Sequence, residues 1–490
     1  MPKSKKKSSN TLVNHHHFNP KYLKIMTFKK IILLPAMTAL MLSSLGSCGL
    51  YSKYQTPDST ALLAEYKQAQ QASIDSMAYG NLRWQDVFTD PVLAGLIEQA
   101  LANNTNLRNA KLNVDIAQAQ LKGARLSYLP SVALAPNGSG SKVFMTPSQS
   151  MSWGYQIPLS VSWEIDIFGK LLNAKRGAQV AVEQSADYAQ AVRSQIISGV
   201  ANCYYGIVTL QQQLQVSKST AEIWKQNVQT MKDLKLAGTV TEVAVVQSEA
   251  QYYGILASIT DIEVSLDEMC NTLSLLLGTM PQKWEIPAGA TFTAPSIIRT
   301  SVPMQELAMR PDVAAAERSM AVAYYATNSA RAAFYPGLNI TANGGFTNTL
   351  GSMILNPGKF FINLAGSLTA PLFSRGQNIS RLEAAKAQQQ QAMNNFEYTL
   401  MSAASEVSDA MTLYEKSVEK QQSLEKQAEK LALASEYTQE LLKLGSYNTT
   451  YLDVLTAQQS LLQAQLSLIV ARNNEARALI NLYQALGGGR

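Results

Sequence analysis

The sequence predicts a mixed α/β membrane protein made of two copies of one long unit, each joining a few barrel-wall strands to helices far longer than a globular core needs. Three observations carry this. Ala124-Arg125-Leu126-Ser127-Tyr128-Leu129-Pro130 recurs as Ala330-Arg331-Ala332-Ala333-Phe334-Tyr335-Pro336, 206 positions on. Ile167-Phe168-Gly169 recurs as Leu372-Phe373-Ser374 at 205, and Gly238 recurs as Gly445 at 207. One offset held within two residues over so long a stretch marks an internal repeat. Segments of strict period two and of coiled-coil period supply the second and third observations.

The repeat divides the 490 residues into a leader at 1–47, an extended segment at 48–83, repeat 1 at 84–280, a Pro-containing linker at 281–302, repeat 2 at 303–486 and a tail at 487–490. In the leader, Lys29-Lys30 precede the uncharged stretch Ile31 to Leu45 and then Leu45-Gly46-Ser47-Cys48. A basic start, an apolar run shorter than the ~20 residues that span a bilayer, and small residues at its end describe a cleaved export signal. Translation starts at Met1 or at Met26. Acylation of Cys48 would hold the chain at a membrane by about 0.8 kcal/mol per buried methylene; the alternative is an ordinary export signal with an incidental cysteine. Cys203 and Cys270 fall inside helical patterns without metal or turn spacing and read as small buried hydrophobes.

Repeat 1 opens at Asp90-Pro91, an N-cap followed by proline at the first helical position, and the pattern Leu93, Leu96, Ile97, Ala100, Leu101 predicts one helix to about Tyr128. Between Met151 and Ile167 the odd positions are Trp153, Tyr155, Ile157, Leu159, Val161, Trp163, Ile165 and Ile167, and the even ones are mostly polar or glycine. Repeat 2 answers with Leu338, Ile340, Ala342 and with Phe360, Ile362, Leu364, Leu368, Leu372, alternating with residues such as Asn339, Thr341, Asn343 and Asn363, Ser367, Thr369. Strands with one apolar and one polar face, flanked by Trp153, Tyr155 and Trp163 as interface aromatics, suit a membrane barrel wall. A soluble sandwich is the alternative, and Pro158 in mid-strand forfeits a ladder bond. The spans Gly169 to Lys235 and Gln377 to Lys443 predict helices of roughly 100 Å. In the last helix Leu462, Leu466, Ile469, Asn473, Ala476, Ile480 and Tyr483 step by fours and threes, a coiled-coil seam; Val192, Ile196, Val200, Cys203, Ile207, Leu210 and Leu214 keep similar spacing.

Composition excludes much chemistry. The net charge of +6 disappears once the leader's eight lysines are set aside, leaving 33 basic against 35 acidic residues and no nucleic-acid footprint. All three histidines, His15, His16 and His17, lie in the leader. Histidine-dependent catalysis and histidine-ligated metal are thereby removed from the rest of the chain. Neither a phosphate loop nor metal-ligand spacing occurs, so no cofactor, no metal and no enzyme activity are expected. A hydrolase built on Glu164 and Asp166 is the enzymatic rival; both occupy the polar strand face, where lumen lining is the simpler account.

The ordered motifs Trp84-Gln85-Asp86-Val87-Phe88-Thr89-Asp90-Pro91, Trp163-Glu164-Ile165-Asp166-Ile167-Phe168-Gly169, Arg310-Pro311-Asp312-Val313-Ala314-Ala315-Ala316-Glu317, Pro371-Leu372-Phe373 and Ala485-Leu486-Gly487-Gly488-Gly489 resemble the outer-membrane factor family, the TolC-like efflux conduits, in its lipoprotein branch. The resemblance implies a homotrimer whose chains give four strands each to a 12-stranded outer-membrane barrel continued by a periplasmic α-helical tunnel. It further implies a periplasmic adaptor, an inner-membrane resistance-nodulation-division transporter, outer-membrane lipid as surroundings, and a passive role in small-molecule efflux. Four strands alone are too few to close a barrel, since small barrels use about eight. The resemblance places a gate at the turns holding Gly238 and Gly445, with Asp453 as its charged constriction, Thr456 where many relatives carry a second Asp, and Glu242 across the first turn. For Glu242 and Asp453 the plainer reading is helix capping, from Thr239 and Thr450 three residues earlier. Rival readings are a conduit for protein secretion and an exported coiled-coil adaptor without a channel.

Overall fold

The computed structural model describes residues 51–69, 81–141, 151–287, 289, 290, 292, 304–349, 358–444 and 449–489, which fall into a sheet unit and a helical unit. Cys48 and Gly445 lie outside the described residues.

In the sheet unit, β1 (Ser131–Leu134) and β2 (Asn137–Ser141) both pair antiparallel with β3 (Ser152–Ile165). They keep one register, Leu134 opposite Leu159 and Asn137 opposite Gln156, and so form a single strand interrupted at Ala135-Pro136. The interruption faces Ile157 and Pro158, so two prolines without N–H groups meet where the ladder breaks. Pro158 still serves as an acceptor, its carbonyl taking the Ala135 amide at 3.2 Å. On the other side β3 pairs with β4 (Gly337–Thr349), placing Gly345 opposite Pro158. A Cβ at Gly345 would stand 2.1 Å from the Ile157 carbonyl oxygen, so glycine is required where the backbone closes on the proline. β4 pairs in turn with β5 (Lys359–Thr369). The spatial order is β1/β2, β3, β4, β5, four strand positions wide.

The helical unit holds α1 (Ala61–Ala69), α2 (Trp84–Val87), α3 (Pro91–Asn103), α4 (Thr105–Leu126), α5 (Lys170–Leu236), α6 (Glu242–Leu276), α7 (Met304–Ala308), α8 (Pro311–Ala332), α9 (Gln377–Lys443) and α10 (Tyr451–Ala485). α5 and α9 are each 67 residues, and α6 and α10 each 35, so the repeat is reproduced in element lengths. At 1.5 Å per residue the long pair run roughly 100 Å. α5 is joined to α6 by the ion pairs Lys218–Glu263 and Lys232–Glu249, both 2.8 Å. It is joined to α10 by Asn202 donating to Asn481 at 3.1 Å and Asn227 donating to Gln458 at 2.7 Å.

Two expectations need correction. The single helix expected from Asp90 to Tyr128 is two, broken at Asn104. Asp90 does cap the first, accepting from the Val92 amide at 2.8 Å and from the Tyr204 hydroxyl at 2.6 Å. Asn104 then recaps, its Oδ1 accepting from the amides of Asn106 and Leu107, which satisfies donors a continuous helix would have bonded internally. The segment expected to be extended at 48–83 contains α1, because Leu63 and Tyr66 find a buried face, with the Tyr66 ring edge-on to Phe396 at 5.0 Å. In the tail at 487–490, the glycines up to Gly489 are held by hydrogen bonds. Gly488 donates its amide to the Tyr483 carbonyl and Gly489 to the Tyr483 hydroxyl, and a Cβ at Gly488 would lie 2.5 Å from the Tyr483 ring.

The coiled-coil seams are buried only in part. Ile196, Val200, Cys203 and Ile207 on α5, and Ile480 and Tyr483 on α10, enter the core with Trp84, Phe88, Leu93 and Ile97, and Ala476 is buried as well. Leu462, Leu466, Ile469 and Asn473 are half-buried. Burial pushes the Cys203 thiol up to about 11, consistent with a packing role.

Candidate channel wall and helix turns

Cross-strand register assembles the two sheet faces. Val132, Val161, Ala342 and Leu364 stand in one row, and Leu134, Leu159, Gly344 and Ile362 in the next; Ile157, Phe346 and Phe360 form a third, its two phenyl rings 5.5 Å apart. Directly opposed residues share a face, so the apolar stripe is continuous across the sheet. The alternate rows read Ser160, Asn343, Asn363 and Glu164, Asn339, Ser367. Glu164 on that polar face is paired with Lys170 at 2.9 Å. Asp166 follows the end of β3.

On the apolar face Trp153 and Trp163 are 50% and 41% exposed, whereas Tyr155 is only 9% exposed. The three aromatics expected together at an interface thus differ in environment, although the period of two puts them on one face. Ile362, Leu364 and Leu368 of β5 are exposed, and neither β5 nor the β1/β2 strand has a second neighbour among the described residues. Unpaired edges and an uncovered apolar face are what a sheet shows when its partners lie in other chains and in lipid. No described helix is long and apolar enough to cross a membrane.

In the helical unit the two turns are built differently. α5 ends with Gly238 at φ +79°, its amide bonded to the Lys235 carbonyl at 2.9 Å and the Thr239 amide reaching the Leu234 carbonyl at 3.0 Å. This is a left-handed glycine cap that satisfies the last carbonyls of the helix. The Thr239 hydroxyl also donates to Leu234 O, at 2.8 Å. The capping box expected between Thr239 and Glu242 therefore does not form, because that hydroxyl closes the preceding helix. Thr241 is the N-cap of α6 without a side-chain bond, and Glu242 pairs with Lys235 across the turn.

At the second turn the expected box is complete. The Asp453 amide donates to Thr450 Oγ1 at 3.4 Å, and the Asp453 carboxylate accepts from the Thr450 amide at 2.8 Å and hydroxyl at 2.7 Å. Those hydrogen bonds hold the Asp453 carboxyl below the usual carboxylate range, the Thr450 hydroxyl contributing most. Thr456 turns back onto its own helix, donating to the Leu452 carbonyl at 2.8 Å.

Two buried polar residues, neither of them assigned a role by motif or spacing, complete the helical unit. Asn104 donates from Nδ2 to the carbonyl of Leu276, the last residue of α6, at 2.9 Å. Arg310 donates from Nη1 to the carbonyl of Ala485, the last residue of α10, at 2.7 Å, while its fork binds Asp312 and Glu406, both at 2.7 Å. The signal was present in the repeat: Asn104 and Arg310 are 206 positions apart, the offset of the first motif pair. Glu317 of the same motif accepts from Thr56 at 2.6 Å and from Tyr66 at 3.1 Å, fastening the first described segment to α8. Among the described residues no group of three His, Cys, Asp or Glu could hold a metal.

A family model described as outer membrane efflux protein matches residues 96–279 and 302–488. A probable outer membrane lipoprotein of Salmonella typhimurium, SilC, is 28% identical over 465 residues, covering 94% of this chain and 99% of that one. The crystal structure of CusC superposes with a TM-score of 0.77 at 26% identity, covering 90% of this chain and all of the other. The open state of the Neisseria gonorrhoeae MtrE outer membrane channel gives a TM-score of 0.75 at 26% identity, over 90% of this chain and 97% of that one.

Proposed function

The chain belongs to the outer membrane efflux protein family, and we propose that three copies close one 12-stranded barrel, four strand positions from each, with their long helices forming a periplasmic tunnel. It is an outer-membrane efflux channel. One observation carries the trimer: an antiparallel sheet four strands wide, apolar over one face, polar over the other and, among the described residues, unpaired at both edges. Such a sheet cannot enclose a pore alone, and edge pairing with identical neighbours removes both free edges. The role is passive, a water-filled path lined by serine, asparagine and threonine, with energy supplied through a periplasmic adaptor and an inner-membrane resistance-nodulation-division pump. Acylation at Cys48 anchors the chain to the outer membrane.

The gate reading rests on the two helix turns. Asp453 is exposed at the start of α10, and repetition about a threefold axis would gather three such carboxylates. Gly238, Glu242, Gly445 and Thr456 flank that constriction in sequence. Opening is a hinge and shear of helix pairs about these turns. Reconstituted in planar bilayers, Asp453→Ala should raise single-channel conductance; unchanged conductance and cation block would remove the gate role. Native mass spectrometry from detergent should give a trimer. A monomer soluble in plain buffer without lipid modification would overturn the channel assembly.

A further inference from the structure

The helical unit contains a cavity of about 340 Å³ between α5, α9, α10 and the linker residues Ala290 and Phe292, within the size range of small-ligand sites. Its walls combine chemistry that packing does not require. Tyr205 and Phe292 line it with rings 5.6 Å apart and nearly perpendicular. Gln421 lines it from α9. The Gln421 amide nitrogen donates to Glu425 at 3.1 Å, and its oxygen is buried with no hydrogen-bond donor among the described residues.

Charge is equally unbalanced. Arg472 at the wall is bonded to Glu425 at 3.1 Å and is neutralised by it. Glu475 also lines the cavity, is half-buried, and has no ion pair or hydrogen bond among the described residues. The three charged groups Glu425, Arg472 and Glu475 therefore sum to one negative charge. Burial, and then the nearby Glu425, raise the Glu475 carboxyl above its ordinary value, as expected of an acid without a cation partner. The fold does not demand that carboxylate. α6 and α10 correspond end to end at an offset of 209, so Glu475 corresponds to Leu266, which packs on the core.

We propose that this cavity binds a small organic monocation, a primary ammonium attached to an aromatic or alkyl body, with Glu475 as counter-ion and the Tyr205 and Phe292 rings around the apolar part. Ammonium over aromatic faces adds attraction that a neutral ligand lacks. The site goes beyond the conduit role and does not rest on it.

The test is isothermal titration calorimetry of the full-length protein in neutral detergent with benzylammonium, beside benzyl alcohol as its uncharged counterpart. Saturable binding of benzylammonium is expected. Glu475→Gln should weaken it at least ~10-fold, while Glu475→Asp should retain most of it. Phe292→Leu, at a position outside every helix, should weaken it independently. Absence of saturable heat, equal affinity for benzyl alcohol, or undiminished affinity in Glu475→Gln protein that elutes like the parent would each overturn the site. Conductance is not part of the readout, so failure here leaves the channel assignment standing, and the reverse holds as well.

Discussion

The two repeats share a geometry and differ in how they are fastened. In each, a buried side chain at the start of a 22-residue helix donates to the carbonyl of the last residue of a 35-residue helix, closing the repeat on itself. In repeat 1 the donor is a neutral carboxamide, Asn104, which also caps its own helix. In repeat 2 it is the guanidinium of Arg310, whose helix has no side-chain cap and which needs Asp312 and Glu406 to balance its charge. The turns diverge likewise: an ion pair across a glycine cap in one, a capping box in the other. The position of the closure is a property of the fold; its chemistry is not.

The sharpest way to break the comparison is Arg310→Ala. It unpairs the Ala485 carbonyl inside the core and empties a buried site, with an expected loss of about 3 kcal/mol; Asp312 and Glu406 are half-exposed and rehydrate, which keeps the loss at the low end for a broken buried pair. Arg310→Lys keeps charge without the fork and should recover only part. Asn104→Ala should cost less, about 2 kcal/mol, from a lost cap and an orphaned Leu276 carbonyl. Thermal or denaturant unfolding in detergent orders the two, and equal losses would show that the closures are energetically equivalent.

At the turns, Thr450→Ala should cost about 1 kcal/mol through the capping box. Lys235→Ala should cost less than about 0.5 kcal/mol, because its pair with Glu242 is exposed on both sides. Hydrogen exchange over the first turns of α10 and α6 separates them. The smallest and most specific effect is in pH. Because the folded Asp453 carboxyl titrates below its unfolded value, its contribution is complete above the ordinary carboxylate range and is lost as pH falls through the lower folded value. Exchange at residues 450–455 should rise in that acidic window, and Asp453→Asn should remove the pH step.

Much of the architecture was legible because it is periodic. Alternation at Trp153 to Ile165 and at Leu338 to Ala342 located β3 and β4 on one-dimensional pattern alone. The span Gln377 to Lys443 was bounded by Gly376 at φ +75° and by a turn after Lys443. The Thr450 and Asp453 spacing announced its capping box, since the atoms concerned are three residues apart. β1 and β2 were not legible: Ser131 to Ser141 is rich in Ser, Gly and Pro and becomes strand because β3 offers an edge in register. Thr239 departs from its expected capping role because the glycine cap turns its hydroxyl back onto the Leu234 carbonyl.

The amino-acid order by itself determined the repeat, the lengths of the long helices, which strand face is apolar and the absence of histidine after the leader, because each is a local or periodic property of neighbouring residues. Tertiary structure alone decided the break at Asn104, the reach of Arg310 to Ala485, the seating of Gly488 on Tyr483 and the unbalanced charge around Glu475. Those depend on groups up to hundreds of residues apart meeting away from water, where an unmade hydrogen bond or an unpaired charge is costly and the partner cannot be inferred from spacing.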